Sequence, residues 1–157
     1  MFNLKTLLKK VKLGDIAANL ELGYRYDYGK GVRKNSRKAV VYYRFAAEKS
    51  SAVAQYNLGV CYRDGIGIKK NPKLAVYWFK RSYELDNNEA ASDLGWCYMY
   101  GFGVRKNYKA AVFYYKKAAK GKISRAQFNL ALCYLEGYGV RKSIQIAERH
   151  FLQAYQQ

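Results

Sequence analysis

Residues 61–80 read CYRDGIGIKKNPKLAVYWFK. Two glycines one residue apart, two lysines and Asn-Pro stand between two apolar stretches. The same order returns as CYMYGFGVRKNYKAAVFYYK from Cys97, as CYLEGYGVRKSIQIAERHF from Cys133, and as RYDYGKGVRKNSRKAVVYYR from Arg25. The step is 36 residues each time. A fixed period of that length marks a stacked repeat architecture, in which each unit buries its apolar face on its neighbours.

Each unit carries two helical patterns. In residues 52–64, Ala54, Leu58, Cys61 and Tyr62 follow the i, i+4, i+7, i+8 spacing of one apolar helix stripe. Ala18, Leu22 and Tyr26 repeat it, as do Ala90, Leu94, Cys97 and Tyr98, then Ala126, Leu130, Cys133 and Tyr134. Gly59 recurs as Gly23 and Gly95, with Ala131 in the last unit. A mid-helix glycine costs up to ~1 kcal/mol against alanine, which predicts a very close neighbouring helix there. The paired loop glycines end this first helix, supplying positive-φ backbone. Val32, Ile68, Val104 or Val140 then plugs the turn. Asn35, Asn71, Asn107 and Ser143 are the N-caps of the second helix, with Pro72 at a first helical position. That second helix carries Ala39, Ala75, Ala111 and Ala147, and the pairs Tyr42-Tyr43, Trp78-Phe79, Tyr114-Tyr115 and His150-Phe151.

The expected fold is all-α: a right-handed α/α superhelical solenoid of four 36-residue helix-turn-helix repeats behind an N-terminal capping helix. Read as one continuous domain, it comprises the capping helix in 1–14 and repeats in 15–50, 51–86, 87–122 and 123–157. The chain has 157 residues, half of them apolar, which suits a folded core. No apolar run approaches the ~20 residues of a membrane span. Lysines 5, 9, 10 and 12 interrupt the N-terminal apolar residues, so no signal-peptide core is present and a cytoplasmic address is expected.

The pattern Ala-x-x-x-Leu-Gly-x-x-Tyr-x-x-Gly-x-Gly-Val, followed by Lys-Ala and an aromatic-rich helix, resembles the Sel-one-like repeat (SLR), a relative of the tetratricopeptide repeat. The resemblance covers residues 15–157 in four consecutive copies. It implies a right-handed α/α superhelix that serves as an adaptor or scaffold for other proteins. The sequence does not determine the oligomeric state, and a monomer is the default. Two departures stand out. The family's acidic residue at the cap before the second helix is Asn or Ser here. The family's cysteine-rich secreted branch has paired cysteines within each repeat, and some members are linked to β-lactam binding. This chain has single cysteines at 61, 97 and 133, so that activity is not carried over.

Equivalent cysteines of stacked repeats lie too far apart to bridge, so these three are read as small core residues. There is no CxxC, and His150 is the only histidine, so no metal site or cofactor is expected. His150 stands where other repeats have Tyr or Trp and reads as a packing residue. No nucleophile–base set recurs, and no enzyme activity is expected.

The net charge is +18, and it is unevenly placed. The first-helix windows 15–28, 51–64, 87–100 and 123–136 hold three basic and seven acidic residues, a net of −4. The remaining 26 basic and 4 acidic residues carry +22. Two columns repeat in register just before the second helix: Arg33, Lys69, Arg105 and Arg141, then Lys34, Lys70, Lys106 and Lys142. Arg37, Lys73 and Lys109 form a third that breaks at Gln145. The first two form a candidate edge for nucleic acid or another polyanion, because helix N-termini already favour anions. A solvated rim is the plainer reading of the same columns.

The flank of the first-helix stripe is the candidate peptide groove. It comprises Glu21, Tyr24 and Tyr28; Asn57, Val60 and Asp64; Asp93, Trp96 and Tyr100; and Asn129, Leu132 and Glu136. Ala17, Val53, Glu89 and Arg125 lie on the same flank. Asn or Asp at 57, 93 and 129 suits bonding to an extended peptide backbone, and Trp96 and Tyr100 supply anchoring area. A further reading sets Phe2, Leu4, Leu7, Leu8 and Val11 with their lysines against an anionic membrane. The alternative, docking of that face on the first repeat, is favoured over it.

Overall fold

The computed structural model describes residues 3–156. Among these, nine α-helices and no strand occur: α1 (Leu4–Lys12), α2 (Ile16–Tyr28), α3 (Ser36–Glu48), α4 (Ala52–Asp64), α5 (Pro72–Tyr83), α6 (Asn88–Tyr100), α7 (Tyr108–Lys120), α8 (Ser124–Glu136) and α9 (Ile144–Tyr155). The first helices of the repeats are α2, α4, α6 and α8. The second helices are α3, α5, α7 and α9. The chain divides into two compact units, one up to Ser82 and the other from Tyr83.

The loop between paired helices is built from local chemistry. Gly65 ends α4 in the left-handed region at φ 78°, and its N–H donates to Cys61 O at 2.8 Å. Four residues on from the second glycine, the Asn71 side chain accepts from Leu74 N at 3.1 Å, while its own N–H donates to Tyr62 O at 2.8 Å. The cap therefore starts one helix and ties the loop to the other. Asn35, Asn107 and Ser143 do the same, donating to Tyr26, Tyr98 and Tyr134 carbonyls at 2.8–2.9 Å.

The helix glycines mark the close contacts expected of them. A Cβ on Gly59 would lie 2.6 Å from the Phe79 ring, and one on Gly95 2.5 Å from the Tyr115 ring. Tyr43, Phe79 and Tyr115 are almost fully buried, each removing a large apolar surface from water at roughly 25 cal/mol per Å². Their sequence neighbours Tyr42, Trp78 and Tyr114 are only half-buried. The fourth repeat has Ala131 for the glycine, and its ring, Phe151, is half-buried.

Successive repeats are joined by features the periodicity does not announce. The turn from second helix to next first helix uses a left-handed residue at Ser50, Asp86 and Lys122, and Gly14 holds the equivalent place. The following Asp15, Ser51 and Asn87 cap the first helices, whereas Ile123 provides no side-chain cap. Gln55 donates to Ala47 O at 3.1 Å, and Gln127 to Ala119 O at 3.0 Å. Both are buried amides whose nitrogen is bonded across a repeat boundary.

At the N-terminal end, Asn3 caps α1, whose buried Leu7 packs with Leu4 and Val11 on Ala18 and Leu22. Among the described residues, the face considered for a membrane is therefore turned onto α2, with only Leu8 left substantially open. Phe2 lies outside the described residues. No described helix is long and apolar enough to cross a membrane. In the unit from Tyr83, the core gathers Met99, Tyr115, Leu130 and Cys133 among small alanines. Cys61, Cys97 and Cys133 are buried cysteines outside any disulfide. Burial pushes Cys61 up to about 12 and Cys133 up to about 11, so their nucleophilic thiolates are suppressed. The first repeat has Arg25 at the cysteine position, buried and paired with Glu21 at 2.8 Å.

Candidate protein-interaction surface

A helix that buries one stripe must leave its flanks elsewhere, and in the unit up to Ser82 two flanks meet. Ala17, Leu20, Glu21 and Tyr24 of α2 and Val53 and Asn57 of α4 line a concave space of about 360 Å³. Glu21, Tyr24 and Asn57 are groove residues read from the sequence. Leu20 is not: it belongs to neither the stripe nor the flank, and only the placement of α4 brings it in. Tyr24 packs against the exposed Tyr28 with ring centroids 4.5 Å apart. Lys30 donates to the Tyr24 hydroxyl at 2.9 Å and lies 4.7 Å from the ring centre. That hydrogen bond raises the Lys30 ammonium above its ordinary value. Val60 is half-buried. Asp64 is exposed and takes two bonds from Arg63, at 2.8 and 2.7 Å, which hold its carboxyl below the usual range.

The unit from Tyr83 treats the same positions differently. Asp93 is 2% exposed, and its carboxylate accepts from Arg125 at 3.1 Å. Arg125 also reaches Glu89 at 3.4 Å. Asp93 is thus a buried acid under a half-exposed arginine, unlike the half-buried Asn57 and Asn129. The sequence grouped it with those asparagines because position alone does not reveal that Arg125, 32 residues later, would cover it. Trp96 is half-buried between Tyr100 and Phe102, at 5.4 and 5.2 Å. Phe102 lies between the two loop glycines, outside any helical period, so no signal pointed to it. Tyr100 and Glu136 are exposed, and Leu132 is half-buried.

All eight residues of the basic edge are exposed: Arg33, Lys34, Lys69, Lys70, Arg105, Lys106, Arg141 and Lys142. Within each unit, packing sets one basic loop on another basic segment. Gly67 sits against Ser36 and Arg37 at the start of α3, and Gly139 against Tyr108 and Lys109 at the start of α7. The loop of Lys69 and Lys70 therefore lies over the turn that carries Arg37, and the loop of Arg141 and Lys142 over the turn that carries Lys109. Lys106 also rests 4.8 Å from the Tyr108 ring centre.

Comparison with known proteins also finds four consecutive repeats. A family model described as Sel1 repeat matches residues 16–51, 52–87, 88–122 and 124–157. Among solved structures, a Sel1 repeat protein from Oxalobacter formigenes is 32% identical, with a TM-score of 0.91 over 98% of this chain and 62% of its own. The c5321 protective antigen of uropathogenic Escherichia coli, which displays an SLR fold, is 26% identical, with a TM-score of 0.72 over 96% and 40%. The Helicobacter pylori cysteine rich protein B is 27% identical, with a TM-score of 0.58 over 74% and 88%. This chain spans less than two thirds of the length of the first two. No curated protein sequence matches it. The expected all-helical solenoid of four repeats and an N-terminal helix agrees with these structures. Sel1 repeats in general form helical scaffolds for protein–protein interaction rather than catalysts.

Proposed function

This chain belongs to the Sel1 repeat family, and from that premise we propose that it is a non-enzymatic adaptor whose first-helix face holds a peptide or a segment of a partner protein. The observation that carries the reading is the concave space between α2 and α4. Five of its six lining residues, all but Leu20, lie on the flank read from the repeat register alone. It combines aliphatic walls with the Asn57 carboxamide and the Tyr24 ring, the mixture of anchoring area and sparse polar contacts that specific sites use. Asn129 and Trp96 hold the corresponding roles in the other unit, while Asp93 positions Arg125 instead of meeting a ligand.

The test begins with a pull-down from the source organism using the intact chain, with and without nuclease. The variant Asn57→Ala/Trp96→Ala/Asn129→Ala is then expected to lose the nuclease-resistant protein partner, by at least ~100-fold in Kd if about two of these act as anchors. Its circular dichroism should match that of the parent. Undiminished binding by a well-folded triple variant would place the interface on another face.

A second reading rests on the basic loops that packing sets against basic helix starts. Cations brought together in this way favour a polyanion, such as a nucleic-acid backbone. With about four to six phosphate contacts, log K is expected to fall with log salt at a slope of roughly −3 to −5. Lys34, Lys70, Lys106 and Lys142 changed together to Gln should flatten that slope and weaken all sequences alike. The same change at Lys5, Lys9, Lys12 and Lys49 should not. Equal flattening by both sets would mean that the charge acts only in bulk.

A further inference from the structure

The fourth repeat departs from the others at a position the adaptor reading does not use. Where the first and third repeats stack tyrosines, Tyr42 on Tyr26 and Tyr114 on Tyr98, the fourth stacks His150 on Tyr134, with centroids 5.8 Å apart and planes 17° apart. The Gln127 side chain fixes the state of that ring. Gln127 is 6% exposed, and its amide nitrogen is committed to Ala119 O at 3.0 Å. Its Oε1 therefore faces His150 Nδ1, at 2.8 Å. A carboxamide oxygen only accepts, so Nδ1 carries the proton and Nε2 is the nitrogen that titrates.

Beside this pair lies a cavity of about 400 Å³ with Lys116, Lys120, His150 and Gln153 on its polar side and Ala119 and Leu130 on its apolar side. Lys116 also approaches the Tyr134 ring, 5.6 Å from its centre. The position of Lys120 is held by Glu48 and Glu84 in the preceding repeats. There, an acid accompanies the base at Arg44 or Lys80. Here, both positions are cationic, and no acid lines the cavity. The charged and titratable groups facing His150 are Lys116 and Lys120 from α7, Tyr134 from α8 and Arg149 from α9, none of them a carboxylate.

We propose that this cavity binds a small carboxylate with an apolar body, its charge held by Lys116, Lys120 and protonated His150 and its body against Ala119 and Leu130. Binding and protonation are coupled. Without an anion, burial first, and then Arg149 and Lys116, hold the His150 imidazole below its ordinary value, with a Gln153 hydrogen bond acting the other way. A depressed histidine stays neutral in the folded chain while the unfolded chain takes up protons. Stability therefore falls as pH drops from about 6.5 through the folded value. A bound carboxylate opposes this by favouring the imidazolium.

Because His150 is the only histidine, its ring protons report the site without ambiguity. The intact chain is titrated by NMR in chloride, acetate, benzoate and inorganic phosphate at one ionic strength. Benzoate is expected to raise the His150 midpoint by about one pH unit, equivalent to ~10-fold tighter binding to the protonated form. Acetate, which lacks the apolar body, should leave it near the chloride value. Lys116→Gln/Lys120→Gln, two solvent-facing substitutions, should abolish the benzoate effect with the helical signal unchanged, and Lys5→Gln/Lys49→Gln should preserve it. An identical midpoint in benzoate and chloride overturns the site. So does a benzoate effect that survives in the Lys116/Lys120 variant, since the anion would then sit elsewhere. An equal response to phosphate overturns the carboxylate class.

Discussion

Gly95→Leu is expected to cost more than ~3 kcal/mol, the upper range of overpacking in a filled core. At this chain length that corresponds to a fall in Tm of roughly 10 °C. A single Cβ at position 95 would already stand 2.5 Å from the Tyr115 ring. Tyr115 is 1% exposed, so its ring is enclosed by protein. Gly59→Leu meets the Phe79 ring in the same way, at 2.6 Å. The alanine variants sharpen the argument, because helix propensity opposes sterics. Alanine gains up to ~1 kcal/mol over glycine in a helix interior. If Gly95→Ala still lowers the urea midpoint, the ring contact outweighs the propensity gain. A midpoint above that of the parent would mean that the helices separate easily and that the glycine does not mark an obligatory contact.

The second large effect concerns the second loop glycine and depends on which repeat carries it. Gly31 and Gly67 have nearly the same backbone, φ 71° and 68°. Their surroundings differ. A Cβ at Gly31 meets nothing within 4 Å, whereas at Gly67 it would run into Ser36 O and stand 2.8 Å from Arg37 N. Gly31→Ala should therefore cost only the left-handed strain, about 1–2 kcal/mol. Gly67→Ala adds a clash with backbone that cannot rotate away, and about 3–5 kcal/mol in total is expected. Gly139→Ala should behave like Gly67→Ala, since its Cβ would meet Tyr108 O at 2.5 Å. Equal losses at 31 and 67 in denaturant unfolding would reduce both glycines to turn residues and remove the inter-repeat seat from the account.

The contrast between those two glycines shows where a sequence reading stops. The 36-residue period, the paired helices, the Asn and Ser caps and the close helix glycines were all legible. Each follows from interactions within a few residues or from a helical stripe of period 3.6, which composition and spacing record directly. The eight basic edge residues were legible as exposed for the same reason: they precede an N-cap on a loop. The flank from which the candidate groove is drawn was legible, but not the fate of each residue on it. Glu21, Tyr24 and Asn57 share a cavity because their helices present the same flank in the same register. Asp93 occupies that register too, yet it is buried, because its fate depends on Arg125 across a repeat boundary.

The remaining decisions share that character. Ser50, Asp86 and Lys122 take left-handed backbone without being glycine, because the next helix must reverse there and its packing holds the turn. Gly67 is needed against the start of α3 rather than merely for its own loop. His150 has its proton placed by Gln127, whose own amide is held by Ala119. A repeat sequence by itself determines the unit and its caps, since those are local and recur. Which side chains meet between units is settled only by packing in three dimensions, where the partner lies about thirty residues away and one substitution in one repeat changes the site.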